Sequence, residues 1–209
     1  ALNGLFKYVK KDVKDTLRVM NGYPVTIRLL DPPLHEFVPH DKVKLRQLGK
    51  ELGISMGMLN RRVLALHENN PMLGHRGVRL GISYPEITEM QVRAIFEATA
   101  ELLKAGKKAF PEIMVPVTVT VNELAHQKLI VDKVYKEVCE KMKMKKMAYL
   151  YGTMIETPRA AIRAELMAHV ADFFSYGTND LTQMSFGFSR DDIGGFLPKY
   201  LDLKILPYD

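Results

Sequence analysis

The sequence predicts an α/β fold built on a parallel sheet. Three observations carry this. Short apolar, β-branched runs alternate with longer stretches of helical periodicity. Several of those runs end on a polar residue at a turn. Between two of them, Ala148–Ile155 and Phe173–Tyr176, lies an amphipathic segment opened by Thr157 and Pro158. Strand, helix, strand is the rhythm of parallel pairing, because parallel strands need a crossover. Pattern alone leaves two architectures open, a doubly wound sheet and a closed barrel.

Residues 5–21 carry a loose helical pattern that stops at Asn21-Gly22. Val25–Leu30 reads as a buried strand, and Asp31-Pro32-Pro33 ends it, since proline cannot extend a ladder. From Asp41 to Asn69 the chain turns polar and helical. Leu45, Leu48 and Leu52 fit one helical face; Leu59, Val63 and Leu66 fit a second. Gly53-Ile54-Ser55 is the turn between them, with Ser55 as N-cap. A helical hairpin outside the sheet is expected over residues 41–69. Arg76–Ile82 alternates and predicts a second strand. Pro85–Lys104 is a helix with Val92, Ile95, Phe96, Thr99 and Leu102 on one face and Gly106 at its stop. Ile113–Val117 is a third strand. Asn122–Lys143 is a helix with Ile130, Val134, Val138 and Met142 inward. Ala148–Ile155 and Phe173–Tyr176 complete five strands. The helix between them opens on Thr157 as N-cap with Pro158 behind it, and buries Ile162, Leu166 and Val170.

Composition narrows the class. The 209 residues are 47% hydrophobic and 26% charged, ordinary for a globular chain, and no apolar run reaches the ~18 residues of a membrane span. The start is not a secretory signal, because Lys7 and Lys10 interrupt its apolar residues. One cysteine, Cys139, cannot form an internal disulfide, which fits a reducing compartment. The net charge of +6 comes without a basic-aromatic motif, so arginines that serve a phosphorylated small molecule explain it better than nucleic acid. Lys141–Lys146 reads as a solvated helix end. Neither a nucleic-acid nor a membrane partner is expected.

Two carboxylates stand out. Glu156 ends one apolar run and Asp180 follows the next, so adjacent strand ends would bring them together at the edge where α/β sheets hold ligands. Mg²⁺ takes one or two such carboxylates and leaves its other positions to water and substrate. Helix capping is the alternative for each acid. Arg28 sits in an apolar strand, where an unpaired charge is costly; it serves either a ligand or a neighbouring acid. Arg76 lies between Gly74 and Gly77, which let backbone approach a ligand closely. Arg79 reads as a structural ion-pair former. Gly177, Thr178 and Asn179 make a turn whose N–H groups suit an anion. Arg190 is either a ligand arginine or a solvated loop residue. Cys139 reads as a structural thiol.

The segments GTMIETPRAA (Gly152–Ala161) and SYGTNDLTQM (Ser175–Met184) resemble the metal-binding strands of the phosphoenolpyruvate-utilising enzymes. TIRLLDPPLHEF (Thr26–Phe37), NPMLGHRGVRL (Asn70–Leu80) and FGFSRDD (Phe186–Asp192) narrow the resemblance to the pyruvate phosphate dikinase family, over about Leu5 to Asp209. The resemblance decides between the two architectures. It implies a partial (β/α)₈ barrel, strands two to six, interrupted by the hairpin of residues 41–69, with residues 1–209 an incomplete pyruvate/phosphoenolpyruvate domain. It implies Mg²⁺ on Glu156 and Asp180. It places substrate at Arg28, Arg76, Met154, Gly177, Thr178, Asn179, Asp180 and Arg190, with Met154 as an apolar wall. The implied reaction converts ATP, phosphate and pyruvate to AMP, diphosphate and phosphoenolpyruvate through a phosphohistidine on another domain. His75 is not that histidine. ATP binds elsewhere, and the family's proton-transferring cysteine is expected beyond Asp209, so the isolated segment should be inactive. A homodimer in the cytoplasm is expected of the full chain, with plastid and microbody as further locations. Phosphoenolpyruvate synthase, enzyme I of the sugar phosphotransferase system and a non-catalytic binding module are the alternatives.

Overall fold

The sheet has four parallel strands in the order β1-β2-β3-β4: β1 (Pro24–Arg28), β2 (Phe110–Val115), β3 (Leu150–Ile155) and β4 (Phe173–Tyr176). The computed structural model describes residues 2–32, 38–39, 41–66, 68 and 70–208. Strand order never reverses, so each strand pairs with its neighbour in sequence. Parallel crossovers share one hand, which puts sequential crossover helices on one side of such a sheet. The helices follow that rule. Helix α1 (Leu2–Val19) packs on α5 (Pro85–Lys104), α5 on α6 (Val121–Lys141), and α6 on α8 (Ala164–Met167). A sheet wound this way, with one helical layer in strand order, is a half-barrel.

The core lies between strands and helices. Ile113 and Val115 of β2, with Tyr151 and Ile155 of β3, meet Val92, Ile95 and Phe96 of α5 and Leu124, Val131, Val134 and Val138 of α6. All are effectively removed from water. Each large apolar side chain so buried contributes about 1.5–3 kcal/mol before chain entropy is set against it. The face expected for α5 is the one found; on α6, Val134 and Val138 are buried as expected, Ile130 and Met142 are half-buried, and Leu124 and Val131 complete the face. A capping box starts α6: the Glu123 N–H donates to Thr120 Oγ1 and the Glu123 carboxylate accepts from the Thr120 N–H. In the hairpin, α2 (Lys42–Leu52) and α3 (Met56–Leu66) pack on each other. Gly53 closes α2 in the left-handed region, and Ser55 Oγ caps α3 by accepting from the Met58 N–H.

Two expectations are corrected. Residues 76–82 are not a strand. Gly77–Ser83 forms helix α4, so the described residues hold four strands, not five. The alternation of Val78, Leu80 and Ile82 suggests period two, but β1 already bonds directly to β2 and leaves no slot between them. Gly77 and Gly81 allow the helix instead. A Cβ at Gly77 would stand 2.8 Å from Val117 Cγ2, and one at Gly81 would stand 2.6 Å from Thr88 Oγ1. These two positions let α4 lie against the exit of β2 and against α5. The second correction concerns the helix after β3. It breaks at Arg163 into α7 (Pro158–Ile162) and α8, which rotates the buried face. Ala160 and Met167 are buried, whereas Ile162 is 76% exposed.

An ion cluster ties the helical layer together. Glu97 of α5, 4% exposed, accepts from Lys10 of α1 at 2.8 Å and from Lys141 of α6 at 2.7 Å. Burial disfavours its charge, but the two ammonium groups outweigh that and hold its pKa below the ordinary glutamate value. A lowered carboxylate pKa adds stability that is present above the unfolded-state value and lost as pH falls through the folded one. Glu97→Gln is therefore expected to lower the unfolding free energy by about 2 kcal/mol at pH 7. Urea titrations of variant and wild type should converge as the pH is lowered through the acidic range. A gap independent of pH would show that packing, not charge, links the three helices.

Candidate functional site

The strand ends on the Ile155 side of the sheet gather acids and arginines. On β1 the half-buried Val25 and Ile27 alternate with the exposed Thr26 and Arg28. Arg28 is the last strand residue and is 50% exposed, so it carries no buried-charge cost. Its Nη1 lies 3.6 Å from Asp31 Oδ2. Asp31 is only 2% exposed. It is held by Arg76, the N-cap residue of α4: Nε–H donates to Asp31 Oδ1 at 3.0 Å and to its backbone carbonyl at 3.2 Å, and Nη2–H donates to Oδ2 at 2.7 Å. This is a bidentate, charge-assisted pair. The Asp31 hydrogen bond is the main reason the Arg76 pKa is raised; Asp180 and Glu156 add to it.

Glu156 follows β3 directly and is 3% exposed. Its Oε1 accepts from the Val117 N–H. Val117 stands at φ 59°, in the left-handed region that a β-branched residue rarely enters. Strain of this kind persists where the surroundings enforce it, and here it aims a backbone donor at the carboxylate. Thr153 Oγ1 donates to the Val115 carbonyl, and Thr157 Oγ1 to the Thr118 carbonyl, which fix the same loop. Burial pushes the Glu156 pKa up to about 7, with the charges of Asp31 and Asp180 adding to the rise; the Val117 N–H and Arg76 oppose it. Asp180 lies in the first turn of α9 (Thr178–Phe186), half-buried. Among the described residues no group of three His, Cys, Asp or Glu side chains forms a metal cage. Two carboxylates with open positions still match what Mg²⁺ takes from a protein. Asp31 is matched by Arg76, whereas burial and the charges of Asp31 and Asp180 disfavour the ionised form of Glu156, a setting that a divalent cation fits.

Gly177 closes this group. A Cβ there would come within 2.4 Å of Glu156 Cβ and Oε2 and 3.0 Å of Met154 Sδ. So Glu156, Gly177 and Met154 pack against one another. Gly177→Ala is expected to displace the Glu156 side chain and cost about 1–3 kcal/mol of stability, as overpacking does. Thermal melts measure it; an unchanged melting temperature would mean that the turn before α9 shifts freely.

Three predicted residues stand apart. Thr178 and Asn179 share a helical stripe with Thr182, Gln183 and Phe186, while the spacing places Asp180 on another side of α9. With Arg190, that stripe lines an open, largely apolar cleft of about 710 Å³ against Leu206, Pro207 and Tyr208. Arg190 is exposed, and its backbone N–H donates to Gln183 Oε1 at 2.8 Å. Arg79 donates to the Gly74 carbonyl at 2.8 Å and makes no ion pair among the described residues, contrary to expectation. Cys139 packs half-buried against the core. Of TIRLLDPPLHEF, residues 33–37 lie outside the described residues. Two site residues went unrecognised in the sequence. Asp31 was legible only as a strand stop, although an acid three residues after a strand-end arginine is a signal for a pair. Val117 acts through its backbone and leaves no signal of its own.

The strand-end site on a half-barrel defines a class. The chain belongs to the phosphoenolpyruvate-utilising enzymes: residues 5–201 match the family model described as "PEP-utilising enzyme, PEP-binding domain". Among curated relatives, all of this chain aligns with pyruvate, phosphate dikinases, at 53% identity to chloroplastic dikinase 1 of Oryza sativa subsp. japonica, 52% to dikinase 2 of Zea mays and 52% to chloroplastic dikinase 1 of Arabidopsis thaliana. It spans 22%, 24% and 22% of their respective lengths.

Proposed function

We propose that this chain is the pyruvate/phosphoenolpyruvate site of a pyruvate, phosphate dikinase. The observation that carries the reading is the meeting of Arg28, Asp31, Arg76 and Glu156 at the strand ends, in a chain about half identical to dikinases throughout. Arg28 and Arg76 bind the phosphoryl oxygens, which guanidinium forks match in charge and geometry. Glu156 and Asp180 would hold Mg²⁺. When bound, that ion supplies Lewis-acid stabilisation of the enolate oxygen. Met154 forms an apolar wall beside the methylene carbon, and Gly177 lets the turn before α9 close on Glu156. Thr178, Asn179 and Arg190 extend the site along the neighbouring cleft. Catalysis here is mostly positioning and charge stabilisation, as phosphoryl transfer generally requires.

The same reading assigns the larger frame. Residues 1–209 are part of a (β/α)₈ barrel, the hairpin of residues 41–69 is an insertion in it, and the phosphoryl group arrives on a phosphohistidine of another domain that ATP charges. No residue of this chain is assigned the proton moved at the methylene carbon. The full-length protein works as a homodimer in the cytoplasm or, as the names of the rice and Arabidopsis relatives suggest, in the plastid; no helix among the described residues is long and apolar enough to cross a membrane. Calorimetric titration of phosphoenolpyruvate into a full-length chain carrying this segment tests the proposal. Binding that strengthens with added Mg²⁺ is expected, and no detectable binding with or without the ion would overturn it.

A further inference from the structure

We propose that Asp31 is a positioning residue for Arg76, fixing its guanidinium so that one edge is spent on Asp31 and the other is presented to an anion. The inference deepens the substrate-site reading and rests on it for the identity of that anion. The geometry is specific. Asp31 takes the Nε–H and one Nη2–H of Arg76 through both carboxylate oxygens, and its own backbone carbonyl shares the Nε–H. Three contacts to one planar group leave it no rotation about its last side-chain bonds. The remaining N–H groups of Arg76 sit on Nη1 and the outer side of Nη2, which together form the fork that matches a phosphoryl group.

Burial makes the arrangement directional. Asp31 is almost wholly enclosed, and Arg76 is the more enclosed of its two arginine partners. A buried carboxylate without a partner is costly, so the pair stays closed and Arg76 keeps its orientation. Arg28 is looser, at 3.6 Å and half in solvent. One acid therefore keeps two cations close: the firm pair with Arg76 sets direction, and the loose contact leaves Arg28 able to swing onto the ligand. Asp31 also joins the exit of β1 to the start of α4, two elements that no hydrogen-bonded ladder connects. A preorganised arginine spends less of its binding energy on being ordered.

The test has two readouts. In a full-length chain, Asp31→Asn keeps size and removes charge. Phosphoenolpyruvate affinity is expected to fall about ten- to a hundredfold, by analogy with losing the outer hydrogen-bond partner of a metal ligand. In an Arg76→Lys background, which has no Nε–H, Asp31→Asn should then add less than about twofold, because residues acting through each other are non-additive. The second readout needs no ligand. In protein with ¹⁵N-labelled arginine, the Arg76 Nε–H should give a solvent-protected NMR signal, and Asp31→Asn should abolish that protection. Full additivity of the two substitutions, or an Arg76 Nε–H as exposed to exchange as a free arginine, would overturn the proposal. Absence of phosphoenolpyruvate binding in the unmodified protein would instead remove the substrate-site reading, and the protected Nε–H would still decide the positioning role.

Discussion

Replacing Glu156 by Gln is expected to abolish Mg²⁺-dependent exchange of the pyruvate methyl protons and, at the same time, to stabilise the fold above pH 7. The two effects have one cause. In the folded chain Glu156 keeps its proton up to about pH 7, against 4.5 for an ordinary glutamate. A carboxyl group with a raised folded-state pKa contributes stability that is fully present below the unfolded value and is lost as pH rises through the folded one. Above pH 7 its ionisation thus costs about 3 kcal/mol, at ~1.4 kcal/mol for each pKa unit. Gln is neutral at every pH and can still accept from the Val117 N–H, so the variant should retain that stability at pH 8 and match wild type near pH 4. For the proposed metal role the charge is required. Loss of one electrostatic stabiliser typically costs about a hundred- to a thousandfold in rate. Asp180→Asn should lose exchange equally, and the double variant should be little worse than either, since both ligands would serve one ion. Loss of deuterium from methyl-labelled pyruvate, followed by NMR in a full-length chain, measures the first effect; urea titration at pH 4 and pH 8 measures the second. Persistent Mg²⁺-dependent exchange in both single variants would remove Glu156 and Asp180 from the metal site.

Arg28→Ala and Arg76→Ala should both remove phosphoenolpyruvate-dependent turnover, yet differ in what they do to the fold. On the proposed reading each would remove a charge-assisted partner of the substrate, at about 2–5 kcal/mol of binding. Arg28 is half in solvent and 3.6 Å from Asp31, so its loss leaves the fold nearly unchanged. Arg76 is the firm partner of an enclosed acid, and stripping it leaves Asp31 only the loose contact with Arg28. Breaking a buried pair from one side costs about 3–5 kcal/mol. A steady-state assay paired with a thermal melt separates the two cases. Near-native turnover in either variant would remove that arginine from the site. Equal destabilisation by both would mean that Arg28 is as firmly paired as Arg76.

The order of the elements was readable from the chain because period and punctuation are local. Leu102 of α5 and Val138 of α6 recur at helical spacing, Ser55 and Gly53 mark a turn, and Pro158 opens a helix. Each signal acts within a few residues, so neighbours in sequence suffice to determine it. The same locality misled at residues 76–82. There Val78, Leu80 and Ile82 alternate like a strand, and only the direct ladder between β1 and β2, with no room for another strand, makes the segment a helix seated on Gly77 and Gly81. Arg163 likewise rotates the face of its helix by a break that no spacing announces.

The site divides along the same line. Arg28, Arg76, Glu156 and Asp180 were recognisable one by one, as charged residues at strand ends and glycine turns. Their relations were not. That Asp31 holds Arg76 across 45 residues of sequence, that strained Val117 donates to Glu156 across 39, and that Thr178, Asn179 and Arg190 face a cleft rather than Glu156 are facts of packing. The residue types and their order follow from short-range preferences that the chain carries in itself. Which charge meets which, and at what cost in burial, depends on contacts between distant segments, and the tertiary structure alone decided those.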